Sequence, residues 1–174
     1  MKRTAQSLNN IPIILHIGTG YRKNLERVIE ALNNIECQLF IVGKLSSIQL
    51  ELLQKYKINY CNEFDVPFCR IIELYEQCTI VSFPSLYEGF GMPIIEANAV
   101  GRPILTSKVG AIPEIAKDAA YYVNPYSIIE LKTTFEFLLN RKDVCNDLIQ
   151  KGIYNAQKYS IDKIAQQYSD LYCE

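Results

Sequence analysis

The sequence predicts a three-layer α/β domain: a six-stranded parallel sheet with helices on both faces and C-terminal helices packed alongside. Short apolar runs, each long enough only for a buried strand, recur along the chain, and the first two close on a glycine. Between these runs lie segments whose apolar residues repeat at helical spacing. Hydrophobic residues make up 49% of the 174 residues, enough for one large core without disulfides, so residues 1–174 read as a single domain.

Residues 13–17 form the first apolar run and end at Gly18. Residues 23–34 follow as a helix, with Leu25, Val28, Ile29 and Leu32 on one face. Residues 37–42 are the second strand, closed by Gly43; residues 46–56 are a helix capped by Ser46 or Ser47; residues 58–61 are a short third strand. Residues 65–78 read as a helix with Asp65 as its cap and Pro67 in its first turn. Its apolar face comprises Phe68, Ile71, Ile72 and Tyr75. Residues 79–83 are the fourth strand, and a loop spans 84–91. A helix over 92–100 carries Pro93 in its first turn and stops at Gly101. Residues 103–106 are the fifth strand, 113–116 a helical turn and 120–123 the sixth strand. Helices over 127–140, 142–158 and 161–173 complete the chain, the last capped by Ser160.

Charge and cysteine usage narrow the functional classes. The formal net charge is -1, with 18 basic and 19 acidic residues and no long run of one sign. A nucleic-acid binder would show a basic stripe. The cysteines at 37, 61, 69, 78, 145 and 173 form no C-x-x-C pair, and His16 is the single histidine, so no metal site is expected. His16 lies inside a strand and reads as a hydrogen-bonded core residue, and most tyrosines read as packing. Reduced cysteines in a well-cored domain point to the cytoplasm. The N-terminus has no apolar run behind its charges, so no signal peptide is expected, and no stretch is apolar enough to span a membrane.

In parallel sheets, ligands bind beyond the carboxyl ends of the strands. The richest such loop is Ser85-Leu-Tyr-Glu88-Gly89-Phe90-Gly91-Met92-Pro93, which runs on through the helix to Glu96. Gly89 and Gly91 allow a sharp turn and close approach to a ligand. The free N–H groups of the following helix make a seat for an anion. Glu96 stands about one turn into that helix, and its side chain leans back toward the seat. A carboxylate accepts two hydrogen bonds, as many as a ribose diol donates. Glu88, at the other end of the loop, is placed for sugar hydroxyls. Diphosphate flanked by two sugars, a nucleotide sugar, suits two acids beside an anion seat. A tight connection with two solvated acids is the plainer account, and their joint placement argues against it.

Glu88 and Glu96 have the spacing of the E-x7-E signature, and the sequence here resembles the group 1 (family four) retaining glycosyltransferases of the GT-B fold. The resemblance runs from about Ile13 to Tyr172. It takes in Val109-Gly-Ala-Ile-Pro113-Glu114 and the turn at Asn124-Pro125. It implies the Rossmann-like C-terminal half, which binds the donor, without the N-terminal acceptor domain. It also implies retention of configuration, no metal and no cofactor, a nucleoside-diphosphate sugar as donor and an acceptor hydroxyl, as in polysaccharide biosynthesis. The isolated chain would then bind donor but transfer little. Peripheral membrane association would come through the other half. A non-catalytic nucleotide-binding or protein-interaction module of the same fold is the alternative.

The loop from Gly18 to Asn24 carries Arg22 and Lys23, which suit phosphate oxygens. Positive charge at a helix start opposes the dipole and so calls for an anion. The resemblance assigns Lys23 to the donor diphosphate. Thr19 stands where that family often has arginine, so Arg22 or the N-terminal half supplies the second charge. Glu88, Lys23 and Arg22 are thus the candidate catalytic residues. Gly18, Thr19, Gly43, Lys44, Asn62, Phe64, Gly89, Phe90, Gly91, Met92, Pro93 and Glu96 would line the donor site. The loops at Gly43-Lys44 and Asn62-Glu63-Phe64 form its nucleobase and ribose side, and Glu114 serves local structure. A dinucleotide fingerprint is matched only weakly: Gly18-x-Gly20 has no third glycine and no acid ends the second strand.

Overall fold

The computed structural model describes residues 11–172; the expected absence of a signal peptide and the sixth cysteine, Cys173, concern residues outside that span. The strands are β1 (Ile13–Ile17), β2 (Gln38–Val42), β3 (Tyr60–Glu63), β4 (Ile80–Phe83), β5 (Ile104–Ser107) and β6 (Tyr121–Val123). The helices are α1 (Leu25–Ala31), α2 (Ser47–Lys55), α3 (Phe68–Gln77), α4 (Met92–Ala99), α5 (Ile112–Ala116), α6 (Ile128–Asn140), α7 (Lys142–Ala156) and α8 (Ile161–Tyr172). Single 3-10 turns lie at Tyr21–Lys23 and Gln157–Tyr159.

All strands are parallel, in the order β3-β2-β1-β4-β5-β6. This is the order of doubly wound nucleotide-binding sheets. The chain leaves β1 toward one edge and returns on its other side as β4, with His16 opposite Ser82. In such sheets the ligand crevice lies where the winding reverses, which here is above the carboxyl ends of β1 and β4.

Alternation along the strands feeds two cores. Ile14 and Ile80 face one, with Leu25, Val28 and Ile29 of α1, Leu53 of α2 and Leu131 and Phe135 of α6. Leu15 and Val81 face the other, with Leu74 and Tyr75 of α3, Ile94 and Ala97 of α4 and Ile112 and Ile115 of α5. Helix α7 packs on α4 through buried Asn155, which donates to Asn98 Oδ1, and Gly152 lies against the Asn98 side chain. Helix α8 buries none of its residues.

The elements depart from the sequence reading at their starts. The helix expected from residue 23 begins at Leu25, because Asn24 adopts a left-handed φ of 65° after the 3-10 turn. Asp65 does not cap α3: it too is left-handed, at φ 57°, and Pro67 is the cap residue. Of the face expected on α3, Tyr75 is buried and Ile71 packs partly buried against the second core, but Phe68 and Ile72 are exposed and Leu74 supplies the other buried contact. Among the described residues Tyr75 is the one fully buried tyrosine; Tyr56, Tyr121, Tyr122 and Tyr159 pack partly buried and the other seven are exposed, so the expectation that most tyrosines serve packing is corrected. Ser46 rather than Ser47 caps α2, in a reciprocal box with Gln49. Ser160 accepts the Lys163 N–H, as expected of the α8 cap. The buried cysteines are Cys37 and Cys78, while Cys69 is exposed.

Candidate functional site

The crevice is built from the loops after β1 and β4. Gly18, at φ 91°, ends β1; a Cβ there would sit 2.8 Å from Lys23 Cγ, so the lysine stem lies across the glycine. Lys23 Nζ then reaches Glu88 Oε1 at 2.7 Å and stands 4.8 Å from the centre of the Phe83 ring. Ser85 Oγ donates to the same Glu88 oxygen at 2.8 Å. The pair is half-sheltered, with side-chain exposures of 30% for Lys23 and 13% for Glu88.

Asn24 holds the two loops together. Its buried Nδ2 donates to the Pro84 carbonyl at 3.0 Å and to the Pro125 carbonyl at 2.7 Å. The Leu86 N–H donates to the Arg22 carbonyl at 2.8 Å. Ser107 Oγ donates to the Ser85 carbonyl at 2.5 Å, bringing in β5. Gly110 lets the loop before α5 press against this turn: a Cβ there would lie 2.2 Å from the Glu88 carbonyl oxygen.

Gly91 takes φ 97° and caps α4, and Pro93 sits in the first turn. Pro93 has no N–H to offer and the Ile94 N–H donates to the Gly91 carbonyl at 2.9 Å, so the anion seat expected at the start of α4 narrows to the backbone around Gly91 and Met92. Glu96 lies further along α4, and its Oε2 accepts the Tyr75 hydroxyl at 2.7 Å.

Residues 2–154 match the sequence profile of the glycosyl transferases group 1. The chain belongs to that glycosyltransferase family. The serotype-specific mannosyltransferase WbdA of Escherichia coli is 28% identical over 154 residues, covering 80% of this chain and 19% of its own, so the chain spans about a fifth of that relative. The C-terminal domain of the group 1 protein LpcC from Francisella tularensis superposes with a TM-score of 0.74 at 26% identity, covering 87% of this chain and 89% of that domain. Anabaena HepE, solved with UDP-glucose, superposes at 0.81 with 19% identity, over 94% of this chain and 49% of its own.

Gly18 and Pro93 sit as described above, Glu96 faces the Tyr75 hydroxyl, and the other residues expected in this group 1 domain divide into three sets, with Gly43 between two of the loops. Lys23, Glu88, Gly89 and Gly91 line the crevice or its turn, and Lys23 and Glu88, read as contacts to different parts of a donor, touch each other. Arg22, Lys44, Phe64, Phe90 and Met92 are exposed at the loop surfaces. Thr19 and Asn62 turn their side chains to the fold: Thr19 Oγ1 donates to the Lys44 carbonyl, and Asn62 Nδ2 donates to the Ile41 and Gly43 carbonyls. Gly43, at φ 135°, would bring a Cβ to 2.9 Å from Thr19 Cγ2, so these two loops are knitted side by side.

Burial lowers the His16 pKa to about 4, helped by the nearby Lys23 charge. His16 Nδ1 lies 3.4 Å from Ser82 Oγ, while Nε2 has no partner among the described residues, so the expectation of a fully hydrogen-bonded histidine is corrected. Sequence reasoning missed Asn24, Ser85 and Tyr75 as site residues. Ser85 was visible in its motif, but the roles of Asn24 and Tyr75 depend on partners 21 to 101 positions away.

Proposed function

We propose that this chain is the donor-binding half of a retaining, metal-independent glycosyltransferase that moves a hexosyl group from a nucleoside-diphosphate sugar to an acceptor hydroxyl. The Lys23–Glu88 contact beside the N-terminus of α4 carries this reading. A cation and a hydroxyl-seeking carboxylate touch at the switch point, and the turn that carries the carboxylate leads into α4, which suits the phosphate and the hydroxyls of a sugar diphosphate.

In this reading Lys23 and the α4 N-terminus take the diphosphate, with Arg22 swinging in from the surface. They neutralise the leaving group, the task a metal serves elsewhere. Glu88, released from Lys23 by the incoming phosphate, accepts from the donor sugar, and Glu96 accepts from the ribose. The backbone around Gly43, Lys44, Asn62 and Phe64 flanks the base.

Mannosyltransferase relatives and a neighbour solved with UDP-glucose support a hexose donor. The acceptor side lies in the further length such proteins have, so this stretch alone binds donor and transfers little. No helix among the described residues is long and apolar enough to cross a membrane. We place the reaction in the cytoplasm, with any membrane contact peripheral.

Calorimetric titration of the chain with uridine, guanosine and adenosine diphosphates and their hexose conjugates tests the reading. Binding of at least one, weakened by Lys23→Ala and by Glu96→Ala, is expected. Absence of binding across the panel would overturn it.

A further inference from the structure

We infer that Tyr75 is a positioning residue for donor recognition: its hydroxyl holds Glu96 by one carboxylate oxygen and leaves the other to the ribose diol. This rests on the donor-site reading of Glu96.

Tyr75 is 1% exposed, its ring packed in the second core. A buried phenol seeks one hydrogen-bond partner, and this one donates to Glu96 Oε2 at 2.7 Å, from α3 across to α4. No other hydrogen bond or ion pair holds the Glu96 side chain among the described residues.

The surroundings offer no substitute. Glu96 borders a cavity of about 210 Å³ whose other walls are Phe68, Ile71, Ile72, Tyr75, Ala99 and Val100. Tyr75 supplies the only side-chain hydroxyl there. Burial, and then the Glu96 charge, raise its pKa well above the ordinary 10.0, so the phenol stays a donor through the neutral range.

The carboxylate is thus oriented before ligand arrives. A phenol O–H carries a single proton and occupies one lone pair, leaving Oε1 free. A preset acceptor gains more from a diol than one that must first be ordered.

The test is calorimetry on the full chain with uridine, guanosine and adenosine diphosphates, each in ribose and 2′,3′-dideoxy form, alongside thermal melts. The variants are Tyr75→Phe, Glu96→Gln and the two combined. We expect the unaltered chain to prefer the ribose form by about tenfold, the worth of one charge-assisted hydrogen bond. Tyr75→Phe should lose most of that preference and keep its dideoxy affinity, and adding it to Glu96→Gln should change nothing further. If Tyr75→Phe keeps the preference that Glu96→Gln abolishes, the positioning role is wrong and the donor-site reading stands. If Tyr75→Phe weakens ribose and dideoxy forms equally, its role is structural and the inference fails. If the unaltered chain binds none of the three, the donor-site reading falls and takes this inference with it.

Discussion

Lys23 Nζ lies 2.7 Å from Glu88 Oε1, joining loops that follow the neighbouring strands β1 and β4. The cation proposed for the diphosphate is thus paired with the acid proposed for the sugar. Donor binding must exchange this contact for two new ones.

Substitutions at the two ends should therefore differ in sign. Lys23→Met should weaken nucleoside diphosphate binding by about tenfold to a hundredfold, the effect of losing a charged hydrogen bond. Glu88→Gln frees Lys23, so the diphosphate should bind as well as before or a few-fold better. The preference for the sugar conjugate over the bare diphosphate should fall. Calorimetry with both ligands on both variants reads the difference, and equal weakening by both would contradict the exchange.

Asn24 combines a left-handed backbone with a buried amide that donates twice, to Pro84 and Pro125. Asn24→Ala removes both bonds and adds strain at φ 65°. A loss of about 3 kcal/mol in urea unfolding is expected. Asn24→Gly relieves the strain but not the lost bonds, so it should be the milder change.

The buried His16 predicts an acid weakness. Its folded pKa is about 4, against an ordinary 6.5. Between those values the unfolded chain binds the proton and the folded chain does not. Stability is then full above about pH 6.5 and falls as pH drops toward 4. From pH 7 to pH 5 the loss should be about 2 kcal/mol. His16→Gln should flatten this part of the profile, measured by denaturant midpoints at several pH values.

Gly110 tests the packing of the α5 loop on the Glu88 turn. A Cβ would meet the Glu88 carbonyl oxygen at 2.2 Å, at a φ of +52°. Gly110→Ala should lower stability by about 2 kcal/mol and displace the turn. Weaker binding of the sugar conjugate should accompany the lower melting temperature.

What the sequence by itself determined is the layered sheet and the address of the site. Apolar runs such as Ile13–Ile17 and Ile80–Phe83 are buried on both faces whatever the details, so periodicity reveals them. The glycines and Pro93 mark where the backbone must turn, Lys23 and Glu88 stand in the segments that follow β1 and β4, and Glu96 stands in the helix that comes next. Tertiary structure decided what each polar side chain does. Asn24, Thr19 and Asn62 find carbonyls of other segments, and Tyr75 takes Glu96 from another helix. A hydrogen bond needs partners within about 3 Å, and which groups come that close is set by the folding of distant segments onto one another. Spacing along the chain therefore showed Lys23 and Glu88 as candidates for one ligand, and only the assembled sheet showed that they touch each other.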